Sequence, residues 1–261
     1  MLEFINDLKE GWKRKNLWKE LAKLELKTQF NGTVFGVLWV LLALAIKVGM
    51  ISVVYSMVLN RPLKQYVLFL SFGIITWDYI SKLIQSGAVS FLKAKNYLQQ
   101  MYLPQSVFVF QTIYKETIVF ALYQILAIPL VIIFYGSKEM NVMWLWAIPG
   151  YILIIINAVF ASFWLGWLVT RYRDFQQIIS SVLTISFIIS PVLWPPPAGA
   201  ENSIYFQLNP FFHILEVVRA PIVRGEVPLN SYIVVSLMAL TSFLICVFLF
   251  DNIRKKLILW I

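Results

Sequence analysis

Apolar residues in this chain fall into runs long enough to cross a bilayer, separated by short polar segments. A hydrocarbon core about 30 Å thick needs about 20 mainly apolar helical residues. That measure predicts spans over residues 33–59, 66–87, 107–135, 144–170, 175–194 and 232–250. The expected fold is an all-α membrane protein with six transmembrane helices, its membrane domain covering residues 33–261.

Three segments depart from this rhythm. Over residues 1–32, Lys15, Lys19, Lys23 and Lys27 recur every four positions while Leu17, Trp18, Leu21 and Leu24 occupy the opposite arc, the pattern of a helix lying in the membrane interface against lipid. Phe4, Ile5, Leu8 and Trp12 form an earlier apolar stripe on another phase, with Gly11 as the expected break. Residues 88–106 hold a short semi-polar helix, Phe91 to Pro104, between two spans. In residues 195–231, Trp194-Pro195-Pro196-Pro197 is expected to stop the fifth span, and Asn209-Pro210 pairs a helix cap with a first-turn proline. The helix it opens, Phe211 to Arg219, is too short to cross and too apolar for a solvated loop. A re-entrant hairpin between spans five and six, covered by protein, meets both conditions.

Composition agrees: 60% of the 261 residues are apolar, 13% are charged, and mean hydropathy is +0.75. The net charge of +9 reflects basic loops on one membrane side rather than a nucleic-acid partner. Fourteen basic residues flank the spans on the side of the termini and five, Arg61, Lys64, Lys138, Arg219 and Arg224, on the other. Both termini and residues 88–106 should therefore be cytoplasmic, with residues 195–231 outside. One cysteine, Cys246, and one histidine, His213, leave no basis for a disulfide framework or a zinc site, so no metal is expected. No cleaved signal peptide is expected.

Chemistry-bearing residues are few. The chain has no Gly-x-x-x-x-Gly-Lys-Ser/Thr loop and thus no ATPase site of its own. Glu139, Glu201, Glu216 and Glu226 are scattered; His213 and Glu216 share a helical face as either a base pair or structural polar groups. Lys47 lies near mid-membrane, where a charge costs about 2.5–3.5 kcal/mol, and Asp78 reaches a matching depth on the next span. Lys82, four residues beyond Asp78, competes for it. Trp39, Lys47, Tyr55, Asp78, Tyr114 and Phe187 are candidates for lining a pathway, the aromatics as stacking surfaces for sugar rings or, alternatively, as interfacial belts.

The order of these features resembles the membrane (permease) subunit of ATP-binding-cassette polysaccharide exporters, which move O-antigen, capsule or teichoic acid chains. The resemblance rests on the surface helix, the Phe91 to Pro104 segment, Arg171-Tyr-Arg-Asp174 between spans four and five, and Leu208-Asn-Pro-Phe211 leading to Arg219 and Gly225. It implies a homodimer in the bacterial inner membrane, two nucleotide-binding subunits using ATP and Mg, and an undecaprenyl-linked glycan as substrate. Coupling to those subunits would fall to Phe91, Leu92, Lys93, Lys95, Tyr97, Leu98, Met101, Tyr102 and Pro104. Arg171, Arg173 and Asp174 would stand at the inner mouth, and Asn209, Pro210, Phe211 and Arg219 in the outer hairpin. A drug or lipid exporter of the same superfamily, and a membrane-bound transferase, are the alternatives.

The topology is testable with single cysteines in a Cys246-free background. A cysteine at Ser203 is expected to react with an impermeant maleimide added outside, and labelling there only from the cytoplasm would reverse the assigned orientation.

Overall fold

In a computed structural model, the chain is built of helices, with no strand among the described residues, which are 2–32, 35–36, 38–58, 60, 62–135, 142–196, 199 and 203–260. Arg61, Lys138, Glu139, Pro197 and Glu201 lie outside them. Among the described residues, four helical stretches are long and apolar enough to cross a membrane: Leu38–Val58, Tyr66–Ala88, Val142–Arg171 and Leu229–Trp260. These make a multi-pass membrane protein. They belong to α3 (Leu38–Val58), α4 (Leu63–Ala88), a 3-10 turn (Val142–Trp146) continuing into α8 (Ala147–Arg171), and α12 (Leu229–Trp260). Helix α7 (Gln105–Tyr135) has 31 residues, or ~46 Å at ~1.5 Å each. By contrast α9 (Phe175–Ile189) has only 15.

The end of α9 differs from the expected Trp194. Ser190-Pro191 comes first, and the residue before a proline is driven out of the helical region; Ser190 is extended, with φ −76° and ψ 144°. Helix α12 in turn runs on past the apolar stretch 232–250, so Arg254, Lys255 and Lys256 ride on its last turns rather than following it.

At the amino terminus lie α1 (Leu2–Lys13) and α2 (Lys15–Phe30), and the break falls at Arg14, not Gly11. Gly11 serves a different purpose: a Cβ there would lie 2.1 Å from Ser106 Oγ, so its absence lets α1 press against the start of α7. The same contact supplies a cap. Asp7 Oδ2 accepts from the Gln105 amide and Oδ1 from the Ser106 amide, both at 2.9 Å, while Ser106 Oγ donates to the Asp7 carbonyl at 2.7 Å. These are amides that a helix start leaves without internal partners, and a negative charge there also suits the helix dipole. Phe4 is fully buried, with ring centroids of Phe163 and Phe250 at 5.1 and 5.3 Å and of Phe243 at 6.0 Å. Arg254 near the end of α12 reaches Glu3 at 3.2 Å. The start of α1 and the last turns of α12 therefore lie at one end of the bundle.

Beyond α9, helices α10 (Ile204–Gln207) and α11 (Pro210–Arg219) lead into a five-residue π turn, Ala220–Arg224, ended by Gly225 at φ 67°. Asn209 Oδ1 accepts from the amides of Phe211 (3.0 Å) and Phe212 (3.3 Å), and its Nδ2 donates to Ser190 Oγ at 3.0 Å. Every residue from Phe212 to Ile222 is buried, in a wall formed with α4, α8 and α12.

Gly11→Leu should push α1 off α7, with a cost of about 1–3 kcal/mol typical of overpacking. The expected result is faster proteolysis at residues 13–15 of the detergent-solubilised protein, partly reversed by adding Ser106→Gly.

Candidate functional site

The segment expected as one helix over Phe91 to Pro104 is two short ones, α5 (Ser90–Lys93) and α6 (Lys95–Gln100), followed by extended residues 101–104. Phe91 is fully buried against Gly166 of α8, where a Cβ would lie 2.8 Å from its ring, and the Phe163 ring is 6.1 Å away. Leu98 is buried too, and Leu92 is half-buried. Phe91 and Leu98 anchor the segment to its own chain and are not free for a partner, contrary to the coupling role expected of them, while Leu92 is partly covered. What the segment presents is Lys95, Tyr97 (41% exposed), Met101 and Tyr102 (82% exposed), with Pro104 closing onto α7. Arg254 donates to the Tyr102 hydroxyl and lies over its ring at 5.7 Å. Between this tip, α1 and the end of α12 runs a groove of about 590 Å³, bordered by Glu3, Glu10, Met101, Tyr102 and Arg254.

Deeper, the structure brings together charges the sequence reading passes over. Lys115 and Glu116 of α7 have side chains only 7% exposed and pair at 3.0 Å. Lys115 also reaches Glu25 of α2 at 2.9 Å, and Lys93 of α5 meets the same Glu25 oxygen at 3.0 Å. Gln111 donates to the other Glu25 oxygen at 3.2 Å, and Ser86 Oγ to Glu116 at 2.7 Å. Burial pushes the Glu25 carboxyl up, but the Lys115 and Lys93 ammoniums outweigh it and hold it below its ordinary value of 4.5. The clamp is thus complete above that pH and is lost only as pH falls through the lower folded value. The available signal was an adjacent Lys-Glu pair inside an apolar run.

Lys47 of α3 meets both Asp78 oxygens of α4, at 2.8 and 2.9 Å. Lys82 does not join them; it faces a cavity with Glu25, Lys93, Lys115 and Glu116. Of the aromatics, Trp39 is exposed and Tyr55 stacks on Tyr66 at 6.4 Å with rings 8° from parallel. Tyr114 is covered by Trp18 of α2 at 5.3 Å, and Phe187 packs on Trp77 at 5.7 Å. Both are occupied by packing within the chain, which is against their lining a pathway. At the α8–α9 link Arg171, Arg173 and Asp174 are exposed, and the Arg171 guanidinium lies over the rings of Tyr172 and Trp260 at 5.0 and 5.1 Å.

At the end of α11, Arg219 Nε donates to Glu216 at 3.0 Å, a further guanidinium nitrogen donates to the Pro191 carbonyl, and the group lies 4.6 Å from the Phe69 ring centre. Arg224 also pairs with Glu216. His213 contacts Ser231 Oγ at 3.0 Å and the Gln207 carbonyl at 2.9 Å. His213 and Glu216 are therefore bonded to different partners and make no acid–base pair.

This is a polytopic helical protein whose nearly buried charges Lys115, Glu116, Glu216 and Arg219 are paired within the chain, and whose Tyr97–Tyr102 tip stands beside the start of α1 and the last turns of α12. No family model matches the chain. It is similar to two curated proteins described as O-antigen export system permease protein RfbA, one from Klebsiella pneumoniae and one from Myxococcus xanthus. Each is 22% identical to it, over 87% and 86% of this chain and 86% of the relative's own length. The resemblance to exporter permeases drawn from the motifs is thus borne out across most of the sequence.

Lys47→Ala should leave Asp78 uncompensated and lower thermal stability in detergent, with Lys47→Ala/Asp78→Ala recovering part of the loss. A coupling of about 0.5–3 kcal/mol is expected for contacting residues; strict additivity would remove the pair from the account.

Proposed function

We propose that the chain is the transmembrane subunit of an ABC exporter that carries a lipid-linked polysaccharide of O-antigen type across the bacterial inner membrane. It works as a homodimer with two separate subunits that bind ATP and Mg. The similarity to the two RfbA permeases supports the class. The observation that carries the coupling mechanism is the segment after α4: Phe91 and Leu98 fix it to the bundle while Tyr97, Met101 and Tyr102 project. A chain without a nucleotide loop does work only by receiving motion from a partner, and an anchored helix with an aromatic tip transmits it. Movement of α5 and α6 passes to α8 through Phe91 on Gly166 and to α2 and α7 through Lys93 on Glu25.

In this reading six helices cross: α3, α4, α7, α8, α9 and α12. The end with both termini is cytoplasmic, and α11 with its π turn forms a re-entrant hairpin at the outer face. Helix α3 supports a dimer, since only 17% of its most apolar stretch is buried within one chain. Trp39, Tyr55 and the Lys47–Asp78 pair lie on or beside that helix and are the remaining candidates for the pathway. A transferase is disfavoured by the separate engagement of His213 and Glu216.

Tyr97→Ala/Tyr102→Ala should weaken docking of the ATPase subunit by about 2 kcal/mol or more, the scale of an aromatic anchor, or about 30-fold. Glycan should accumulate on the cytoplasmic side while ATP hydrolysis loses its response to substrate. Normal export in this variant, or after inserting Gly-Ser behind Asn96, would end the coupling role.

A further inference from the structure

Although Tyr102 projects from the surface, it is not unattached: Arg254 donates to its hydroxyl and lies over its ring at 5.7 Å. The same guanidinium reaches Glu3 of α1 at 3.2 Å and stands 6.0 Å from the Phe250 ring, one turn back on α12. An exposed ion pair by itself contributes little. Here one planar fork serves two acceptors and also faces an aromatic ring, which the single ammonium of a lysine does not reproduce. Phe250 is in turn packed against Phe4 at 5.3 Å, so the seam of α1 and α12 sets where the guanidinium stands. Arg254 thus joins the tip, α12 and α1 at one point.

The helix that carries Arg254 gives the junction its reach. Of the five long helices, α3, α4, α7, α8 and α12, only α12 contains neither glycine nor proline, the residues at which helices most often kink. It has 32 residues, and its far end is bonded to the buried α11. Ser231 Oγ contacts His213 at 3.0 Å, the Tyr232 hydroxyl donates to the Val217 carbonyl at 3.1 Å, and His213 also contacts the Gln207 carbonyl of α10 at 2.9 Å. Tyr232 and Arg254 stand ~33 Å apart along the axis. One unbroken rod therefore touches the projecting tip at one end and α11 at the other.

We propose that Arg254 is a positioning residue that holds Tyr102 to α12, so that movement of the tip is carried along α12 to α10 and α11. This role rests on the coupling reading of the tip and adds a route distinct from those through Phe91 and Glu25. It requires only the displacement of a stiff helix. It also separates two parts of one side chain: the Tyr102 ring docks the ATPase subunit, and its hydroxyl passes that docking to α12.

The test places an environment-sensitive fluorophore on Ser203→Cys, just before α10, in the Cys246-free chain assembled with its ATPase subunit in lipid nanodiscs. Adding a non-hydrolysable ATP analogue is expected to change the emission. Arg254→Gln should cut that change about fivefold, the lower end of coupling between distinct sites, while the ATPase subunit binds as tightly as before. Arg254→Lys should recover part of it. Tyr102→Phe, a surface change that keeps the ring, should lose most of the response, and the double variant should lose no more than Arg254→Gln alone. Lys255→Gln should behave as the unsubstituted chain. No emission change in the unsubstituted complex, a full response in Arg254→Gln or Tyr102→Phe, or an equal loss in Lys255→Gln would overturn the relay. Weakened binding of the ATPase subunit by Arg254→Gln would make the residue a docking contact and overturn it too. Undiminished binding by Tyr97→Ala/Tyr102→Ala would remove the coupling reading and the relay together, whereas a full response in Arg254→Gln removes the relay alone.

Discussion

Charge that enters a low-dielectric bundle must be matched within reach of its own side chain, because no water is there to do it. In this molecule one carboxylate meets that demand for two other elements. Glu25, on a helix that runs outside the spans, neutralises Lys115 in the third long helix and Lys93 in the segment after α4. The arrangement fixes α2 against α7 and ties the short helices to both. A removal of Glu25 would leave a nearly buried ammonium at Lys115 with only Glu116, which is why α2 is a structural member of the bundle and not a loosely attached surface arm. Trp18 over Tyr114 and the buried Ala22 complete that seam.

The long helices are legible in the sequence because membrane thickness leaves little choice of length, and a backbone in lipid must bond to itself. Boundaries are less so. The Trp194-Pro-Pro-Pro run looks like the stop for α9, yet the single Pro191 inside the apolar stretch acts first. Gly11 reads as a hinge because glycine breaks helices in isolation, whereas here it sits inside α1 as the gap that admits Ser106. Such roles depend on a neighbour nearly a hundred positions away, which no local pattern encodes.

The same limit governs the candidate site. Phe91 and Leu98 look like offerings to a partner because their segment is polar and short, but Gly166 on a distant helix provides the seat for Phe91. The basic residues could have pointed to the ionic cluster. Of the 22 lysines and arginines, those near the span ends account for all but Lys47, Lys82 and Lys115. Lys115 escapes notice because the adjacent Glu116 cancels its charge in any count of net polarity. Asp7 is similarly hidden, since a carboxylate on α1 that caps α7 has no partner within its own helix to suggest it.

The seat of Phe4 sets an order of events during synthesis. Its ring is enclosed by Phe163 of α8 and by Phe243 and Phe250 of α12, so the first helix made is the last to find its place. At about 5–20 residues per second, roughly 10–50 s separate the emergence of α1 from that of the rings that receive it. Once α7 is made, Asp7 and Gly11 can dock α1 onto its start, but Phe4 has no aromatic seat until α8 and α12 arrive. The amino-terminal helix therefore closes the assembly like a latch, and the seating of Phe4 marks the arrival of α12 in the bundle.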